Sequence, residues 1–583
     1  LGPPPEPPSE MMAAAKPPLE VEHQPVGGEG SPEGARRGVW IAFGLILTLG
    51  ALVRYAGLSY GLPHTYHSDE GRIVVRAVRF LSGDTDPRFF NWPSLYMYLL
   101  SGLYGLTFGV RESLTLFAAD PGPFYLLGRT VTATLGTATI AMLYLLAAPL
   151  YGRVVAALAG LFLAVNLLHV HDSQYVTTDV PLTFLITLGL MAVLRYLRDG
   201  RSRQAVGAGL VAGLATSMKY PGGLLLLPLL VAHLLRLRAA PGGARTAVVT
   251  PGLVGAGLAG LAAFVAGTPY AVLTPRAFVH GVLDEVREIQ SVQFGNEADL
   301  PGYLFHLLHS LPEAMGVPLL LLAAGGLGLL AWRRAPADLV LLAFPLPYFL
   351  VIGTWSSRFE RYAVPLLPFL ALLAALALVV LIPRLVRATW RAERRGYGWV
   401  GVAAAVVLLL APELYRVGRF HVLLGRPDTR RVAADWIERE LPPGLRIAME
   451  PYSPAVQVTP GQARRLGRPG AALAEGAGFE VVRLDTYDLN QLVREQVAYV
   501  VLSGFVFERK ARACGRYPTE CDFYGDLERR GALVLDVKPA AVDLPLWVGD
   551  IYSPLTRLRE RERPGPRIKV YRLPGQPAGE VLR

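Results

Sequence analysis

Asp69 and Glu70 lie in YHSDEGRIVVRAVRFLSGD, just after an apolar run and before a stretch with helical amphipathic spacing. Asp172 and Asp179 lie in HVHDSQYVTTDVPLTF, with Asp179 at the mouth of the next apolar run. Desolvation raises the basicity of a carboxylate held near apolar surface, as a general base requires. A simply solvated acid in an exposed loop is the equal alternative for the first pair. For Asp179 the alternative is a helix cap, because Val180 and Pro181 follow and Pro favours a first helical turn. Its position is also telling: a charge at mid-span costs roughly 2.5–3.5 kcal/mol, and less at a terminus.

Cations stand near the same ends. Arg129 is early in its apolar run, Lys219 sits in the turn SMKYPGG, and Arg358 and Arg361 lie in WSSRFERYAVPLLP. Arg binds phosphate as a fork and Lys as a point charge, so the four suit a phosphate group. Snorkelling to lipid headgroups explains any one of them but explains four together less well. His64, His67, His169, His171 and Asp172 raise a metal site, yet His-x-His on a helix does not aim both rings one way. No metal ligand set is assigned. His67, Asp172 and Tyr362 are read as further substrate contacts.

The elements that position these residues are membrane spans. Of 583 residues, 52% are hydrophobic, the mean hydropathy is +0.36, and the apolar residues come in long blocks. About 20 apolar residues cross a hydrocarbon core of roughly 30 Å. Eleven segments qualify: 38–58, 124–148, 154–170, 180–197, 204–218, 220–235, 246–270, 311–331, 337–354, 362–383 and 398–417. Segment 94–110 is short and interrupted by Gly and Ser. Read as non-crossing, it leaves Arg153, Arg198, Arg201, Arg203, Arg236, Arg238, Arg245, Arg333, Arg334, Arg384, Arg387, Arg391, Arg394 and Arg395 in the short inside loops. Only Lys219, Arg358 and Arg361 then lie in short outside loops, as the positive-inside rule demands. Segment 94–110 is therefore expected along the outer interface, anchored by Trp92, Tyr96, Tyr98 and Tyr104. The net charge of +11 is spent on these lipid-facing loops and does not call for nucleic acid.

The flanks differ. Residues 1–36, rich in Pro and Gly, read as a disordered cytoplasmic tail, and 38–58 is too long for a cleavable signal peptide. Residues 425–583 read as an extracytoplasmic α/β domain: DTRRVAADWIEREL as a helix, then strands in LRIAME, VAYVVLSG, ALVLDVK and IKVYRLP. Its Cys514 and Cys521 are either a disulfide or two free thiols.

At these motifs the chain resembles the GT-C superfamily, and within it glycosyltransferase family 39, the protein O-mannosyltransferases and lipid A aminoarabinose transferases. The resemblance rests on Asp69-Glu70, WPSLYMYLL, GRTVTATLG, TTDVPLTF and RYAVPLLP, in that order over 38–384. It implies a GT-C-like transmembrane catalytic domain over 37–424. It further implies a polyprenyl-phosphate-sugar donor, inversion at the anomeric carbon, and a glycan, lipid or protein acceptor. Asp69 corresponds to the family's catalytic base and Asp179 to its second loop aspartate. Some relatives carry a Lys before Pro-Pro-Leu where this chain has Asn91, Trp92, Pro93 and Ser94, which moves phosphate binding to Arg129, Lys219, Arg358 and Arg361.

The reading that follows is a plasma-membrane glycosyltransferase of the cell envelope, working at the extracytoplasmic face. Glu70 orients Asp69 or the acceptor. No cofactor is required, because the leaving group is a phosphomonoester, with a divalent cation the alternative. A lipid-substrate flippase would want ionisable groups at mid-span and paired broken segments, which do not stand out. An envelope-assembly scaffold is the third reading.

Overall fold

Apolar runs fold as helices because only a helix satisfies its own backbone in lipid. The computed structural model describes residues 32–239, 249–291, 300–390, 395–465, 478–544, 548–551 and 554–575. Each of the eleven expected spans coincides with helix, and the chain is a polytopic helical membrane protein. Seven helices are long and apolar enough to cross: Arg37–Tyr55, Gly122–Tyr151, Asp179–Asp199, Tyr220–Ala239, Pro336–Gly353, Glu360–Leu385 and a last one starting at Trp399. An eighth is counted if Gly302–Met315 and Val317–Arg333, bent by 113°, form one span. The expected count of eleven is thus not reached by length among the described residues.

The shortfall has local causes. The span expected at 154–170 breaks into Arg153–Ala164 and Leu167–Asp172. The carbonyls exposed at the break are capped by Arg54, buried in the first span, whose guanidinium donates to Ala164 O at 2.9 Å and Leu163 O at 3.0 Å. Helices Ser202–Met218 and Pro251–Gly267 have 17 residues each. They pack backbone to backbone: a Cβ on Gly209 would stand 2.0 Å from Ala256 O. Small residues permit this approach inside a membrane, where close packing holds helices together.

The helix in segment 94–110 spans Leu95–Phe108, 14 residues, about 21 Å at 1.5 Å per residue and too short to cross. Its expected anchors need correction. Tyr96 and Tyr104 are buried, donating to Gly128 O at 3.3 Å and Phe124 O at 3.0 Å, while Trp92 and Tyr98 are half-buried. Residues 1–31 of the expected tail lie outside the described residues, as do Arg245, Arg391 and Arg394; residues 32–36 belong to the first helix.

The C-terminal part is α/β. Helix Thr429–Glu440, capped by Asp428, precedes a five-stranded sheet of order β2-β1-β3-β5-β4. The strands are β1 Arg446–Met449, β2 Glu480–Arg483, β3 Tyr499–Ser503, β4 Ala532–Val537 and β5 Ile568–Arg572. Only β2 was not foreseen. β1 pairs in parallel with β2 and β3, and β5 pairs antiparallel with β3 and β4. Alternation puts Ile447 and Met449 against Ala433 and Ile437, and Ala448 with Phe523 and Leu527 on the other face. Cys514 and Cys521 form a disulfide.

This sheet is docked on the helices. Tyr60 Oη donates to Asp428 Oδ2 at 2.6 Å, and Arg430 forks onto the same carboxylate at 2.8 and 2.9 Å while lying 3.7 Å over the Tyr66 ring. Phe505, Ile551, Leu555 and Leu558 join the main apolar core. The C-terminal sheet and the loop carrying Asp69 therefore lie on one side of the molecule.

Candidate active site

Asp69 and Glu70 begin helix Ser68–Phe80, with His67 as N-cap accepting the Asp69 N–H at 3.3 Å. Carboxylates are favoured at a helix N-terminus. Successive residues on a helix point about 100° apart, and this divides the pair. Glu70 turns inward and is fully buried. It accepts from Arg129 Nε at 2.7 Å, a second Arg129 nitrogen at 2.6 Å, and Val176 N–H at 2.9 Å. Asp69 turns the other way, into a cavity of about 1210 Å³.

Arg129 therefore needs correction as a phosphate ligand. Besides Glu70 it donates to Leu58 O at 2.7 Å and Tyr60 O at 2.8 Å, tying first loop to second span, and it does not line the cavity. Glu70 does not line it either; its carboxylate is engaged by Arg129 and Val176 N–H. His67, Asp172 and Arg358 are also outside the lining. His67 is buried, its pKa pushed down by desolvation to about 3, and so is neutral. Asp172 is buried with its carboxylate 3.3 Å from His171 Nδ1.

The cavity collects Asp69, Asp179, Lys219, Arg361 and Tyr362 from four separate loops. Asp69 receives a hydrogen bond from Arg361. Burial pushes the Asp69 carboxyl up, but the guanidinium of Arg361, with that of Arg72, holds it below the usual carboxylate range. Asp179 opens helix Asp179–Asp199, but Thr178 holds the cap position and the Asp179 carboxylate accepts from Lys219 Nζ at 2.6 Å. The cap alternative does not describe it. Lys219 is aimed by a tight turn in which a Cβ on Gly222 would stand 2.3 Å from the Ala215 carbonyl. Its ammonium lies 5.3 Å over the Tyr362 ring, and Arg361 lies 5.8 Å over the same ring. Such cation–π contacts hold both cations without neutralising them. Among the described residues no three His, Cys, Asp or Glu gather as a metal-binding group.

Several lining residues were not foreseen. Arg72 and Glu285 come from the first and fourth outer loops, and burial raises the Glu285 carboxyl. Tyr452, Tyr487, Arg509 and Lys510 come from the segments that follow the strands of the C-terminal sheet. The one available signal was MEPYSP directly after a strand, since α/β sheets bind at strand carboxyl ends.

Glu450, at that same edge, is buried and accepts from Tyr524 Oη at 2.6 Å and Ser503 N–H at 2.9 Å. Burial raises its carboxyl from 4.5 to about 7. The folded state then holds a proton that the unfolded state has released, so stability falls as pH rises from about 4.5 to about 7. The loss is roughly 3 kcal/mol at 1.36 kcal/mol per pKa unit. Thermal melts of the intact protein at pH 5 and pH 8 are expected to differ, and Glu450→Gln to remove most of the difference.

The fold and the cavity together define a multi-pass membrane protein whose polar centre lies where loops meet a docked α/β sheet. Residues 126–268 match the family described as dolichyl-phosphate-mannose-protein mannosyltransferase, about a quarter of the chain. The match runs from the second expected span to the seventh and includes GRTVTATLG and TTDVPLTF. Through it the chain is similar to membrane glycosyltransferases that use lipid-linked sugar. Comparison with curated proteins finds no significant match. Among solved structures the chain is similar to oligosaccharyltransferase AglB from Archaeoglobus fulgidus, with 14% identity and TM-score 0.48, covering 88% of this chain and 75% of that one. ArnT from Cupriavidus metallidurans shares 18% identity at TM-score 0.47, covering 81% and 94%. Arabinosyltransferase EmbB from Mycobacterium smegmatis shares 14% at TM-score 0.40, covering 63% and 32%. These are similarities of outline, from which no residue correspondence is drawn.

Proposed function

We propose that the protein is a membrane glycosyltransferase that moves a sugar from a polyprenyl-phosphate donor to an acceptor hydroxyl at the extracytoplasmic face. The observation that carries this reading is the meeting of two carboxylate–cation pairs, Asp69–Arg361 and Asp179–Lys219, in one cavity. The family description over 126–268, with its dolichyl-phosphate-linked mannose, supports the donor class. The disulfide supports an oxidising compartment for residues 425–583. Residues 37–424 then form the catalytic transmembrane unit and 425–583 its cap, with the N-terminus cytoplasmic.

Arg361 and Lys219 bind the donor phosphate and stabilise the charge that grows on it. The acceptor oxygen bonds to the anomeric carbon from the face opposite the phosphate, and the bond from that carbon to the phosphate oxygen breaks. Its electron pair leaves with the polyprenyl phosphate, and the acceptor proton passes to Asp69. The donor also prepares the base. While Arg361 is held on Asp69 it depresses the carboxyl's basicity; a phosphate that draws the guanidinium away restores it.

Arg361→Gln tests this with a definite sign. The free enzyme is active with Asp69 ionised, so the acid limb of kcat/KM falls at the depressed carboxyl pKa. Removing the guanidinium raises that pKa. The acid limb is expected to move to higher pH and the donor KM to rise. An acid limb that stays in place, measured by release of polyprenyl phosphate across pH, would separate Arg361 from the base.

A further inference from the structure

The wall of the cavity opposite the helices is built by the C-terminal sheet. In the order β2-β1-β3, the chain leaves β1 for a neighbour on one side and later returns to the other. The crevice at the carboxyl end of β1 is where sheets of this kind receive ligands. Here that end faces the cavity that holds Asp69: Tyr452 follows β1, Tyr487 follows β2, and Arg509 and Lys510 follow β3.

Tyr452 carries a second observation. Its φ is +63°, in the left-handed region that a bulky side chain rarely adopts. Ser503 Oγ donates to its carbonyl at 3.2 Å, and Phe505 meets its ring edge-on at 5.9 Å. The ring is half-buried among charges, with Arg509, Asp69, Arg72 and Arg361 in electrostatic reach. The backbone is thus held in an unfavourable conformation at a residue that lines the same cavity as the proposed base.

The lining also narrows the class of ligand. Among the described residues, six cations (Arg72, Lys219, Arg361, Arg483, Arg509 and Lys510) and six acids (Asp69, Asp179, Glu285, Glu288, Asp485 and Glu520) line the cavity. With two of these cations on the donor phosphate, no net positive charge is left among them to select an anion. Trp92, Trp355, Tyr362, Tyr452 and Tyr487 share the lining with these groups. Flat apolar faces flanked by paired donors and acceptors suit a neutral ring with many hydroxyls. The volume of about 1210 Å³ exceeds the roughly 300–1,000 Å³ that holds one drug-sized ligand, leaving room for a donor sugar and several acceptor units.

We infer that the carboxyl edge of β1, β2 and β3 is the acceptor subsite, that it takes a neutral oligosaccharide, and that the Tyr452 ring is the platform that positions it. The inference rests on the glycosyl-transfer reading above for the word acceptor, but sugar binding at this edge is measurable without turnover.

The test uses the full chain in lipid nanodiscs, with the change in intrinsic tryptophan fluorescence on adding probe as the signal, Trp92 and Trp355 being in the lining. The probes are mannotetraose, xylotetraose and maltotetraose, with tetragalacturonate and a Ser/Thr-rich peptide as anionic and protein competitors. At least one neutral tetrasaccharide is expected to bind in preference to both competitors. Tyr452→Gly, which relieves the left-handed backbone, is expected to weaken that binding tenfold or more without lowering the melting temperature. Tyr452→Phe, which keeps the ring, is expected to stay within threefold of the parent. In turnover, Tyr452→Gly is expected to raise acceptor KM about tenfold and to change kcat less than threefold. Preference for the galacturonate or the peptide, no binding of any neutral probe, or a Tyr452→Gly protein within twofold of the parent would each overturn the inference. Saccharide binding without any sugar transfer would sustain it and remove the transfer reading instead.

Discussion

Asp69→Asn is expected to lower the rate of sugar transfer by about 10²–10⁴-fold, the usual worth of a positioned general base, while the protein folds as before. The amide oxygen still accepts from Arg361, so the contact between the first outer loop and the ERYAVPL turn keeps its geometry. What disappears is the ability to take the acceptor proton. Because the amide attracts the guanidinium less, Arg361 becomes more available to the donor phosphate, and the donor KM is expected to fall as kcat falls. Single-turnover release of polyprenyl phosphate gives the rate, and the melting temperature checks the fold. Full activity in the folded variant would end the assignment of Asp69.

The second large effect is on stability. Arg129→Ala leaves the fully buried Glu70 carboxyl without its guanidinium partner, keeping the bond from Val176 N–H, and leaves the carbonyls of Leu58 and Tyr60 without this partner. Removing one member of a buried pair costs about 3–5 kcal/mol, a large part of the roughly 5–15 kcal/mol that keeps a domain folded. Arg129→Ala is therefore expected to express poorly or to melt many degrees lower. Arg129→Lys recovers only part of this, since an ammonium cannot reproduce the fork. A phosphate-binding role gives the opposite pattern, with donor KM raised and melting unchanged. Thermal unfolding in detergent, with donor KM measured on whatever folded protein remains, separates the two.

These two residues show what the sequence could and could not disclose. Apolar runs announce helices because the membrane demands about 20 apolar residues and satisfied backbone. The order of helices, the position of Asp69 and Asp179 at helix starts, and four of five strands were accordingly legible. Whether a run crosses was less so. The break after Ala164 depends on Arg54 capping carbonyls more than 100 residues away, a pairing with no local signature.

The same holds in the site. Asp69 and Glu70 look equivalent in a string of letters, and only the turn of the helix sends one into the cavity and the other to Arg129. Arg129 and Arg361 are likewise both cations near span ends, yet the first is consumed by Glu70 and two carbonyls while the second lines the cavity. Tyr452 lies almost 400 residues from Asp69 along the chain. It lines the same cavity as Asp69 because Tyr60, Asp428 and Arg430 fasten the sheet over the first outer loop.

Transfer itself is tested most directly with purified protein in sealed vesicles, given polyprenyl-phosphate donors bearing radiolabelled sugar and a cell-envelope extract as acceptor. The expected result is label bound covalently to acceptor through an inverted anomeric linkage, with one polyprenyl phosphate released for each sugar moved. Label that crosses the bilayer still attached to its lipid phosphate would contradict transfer and point to a flippase.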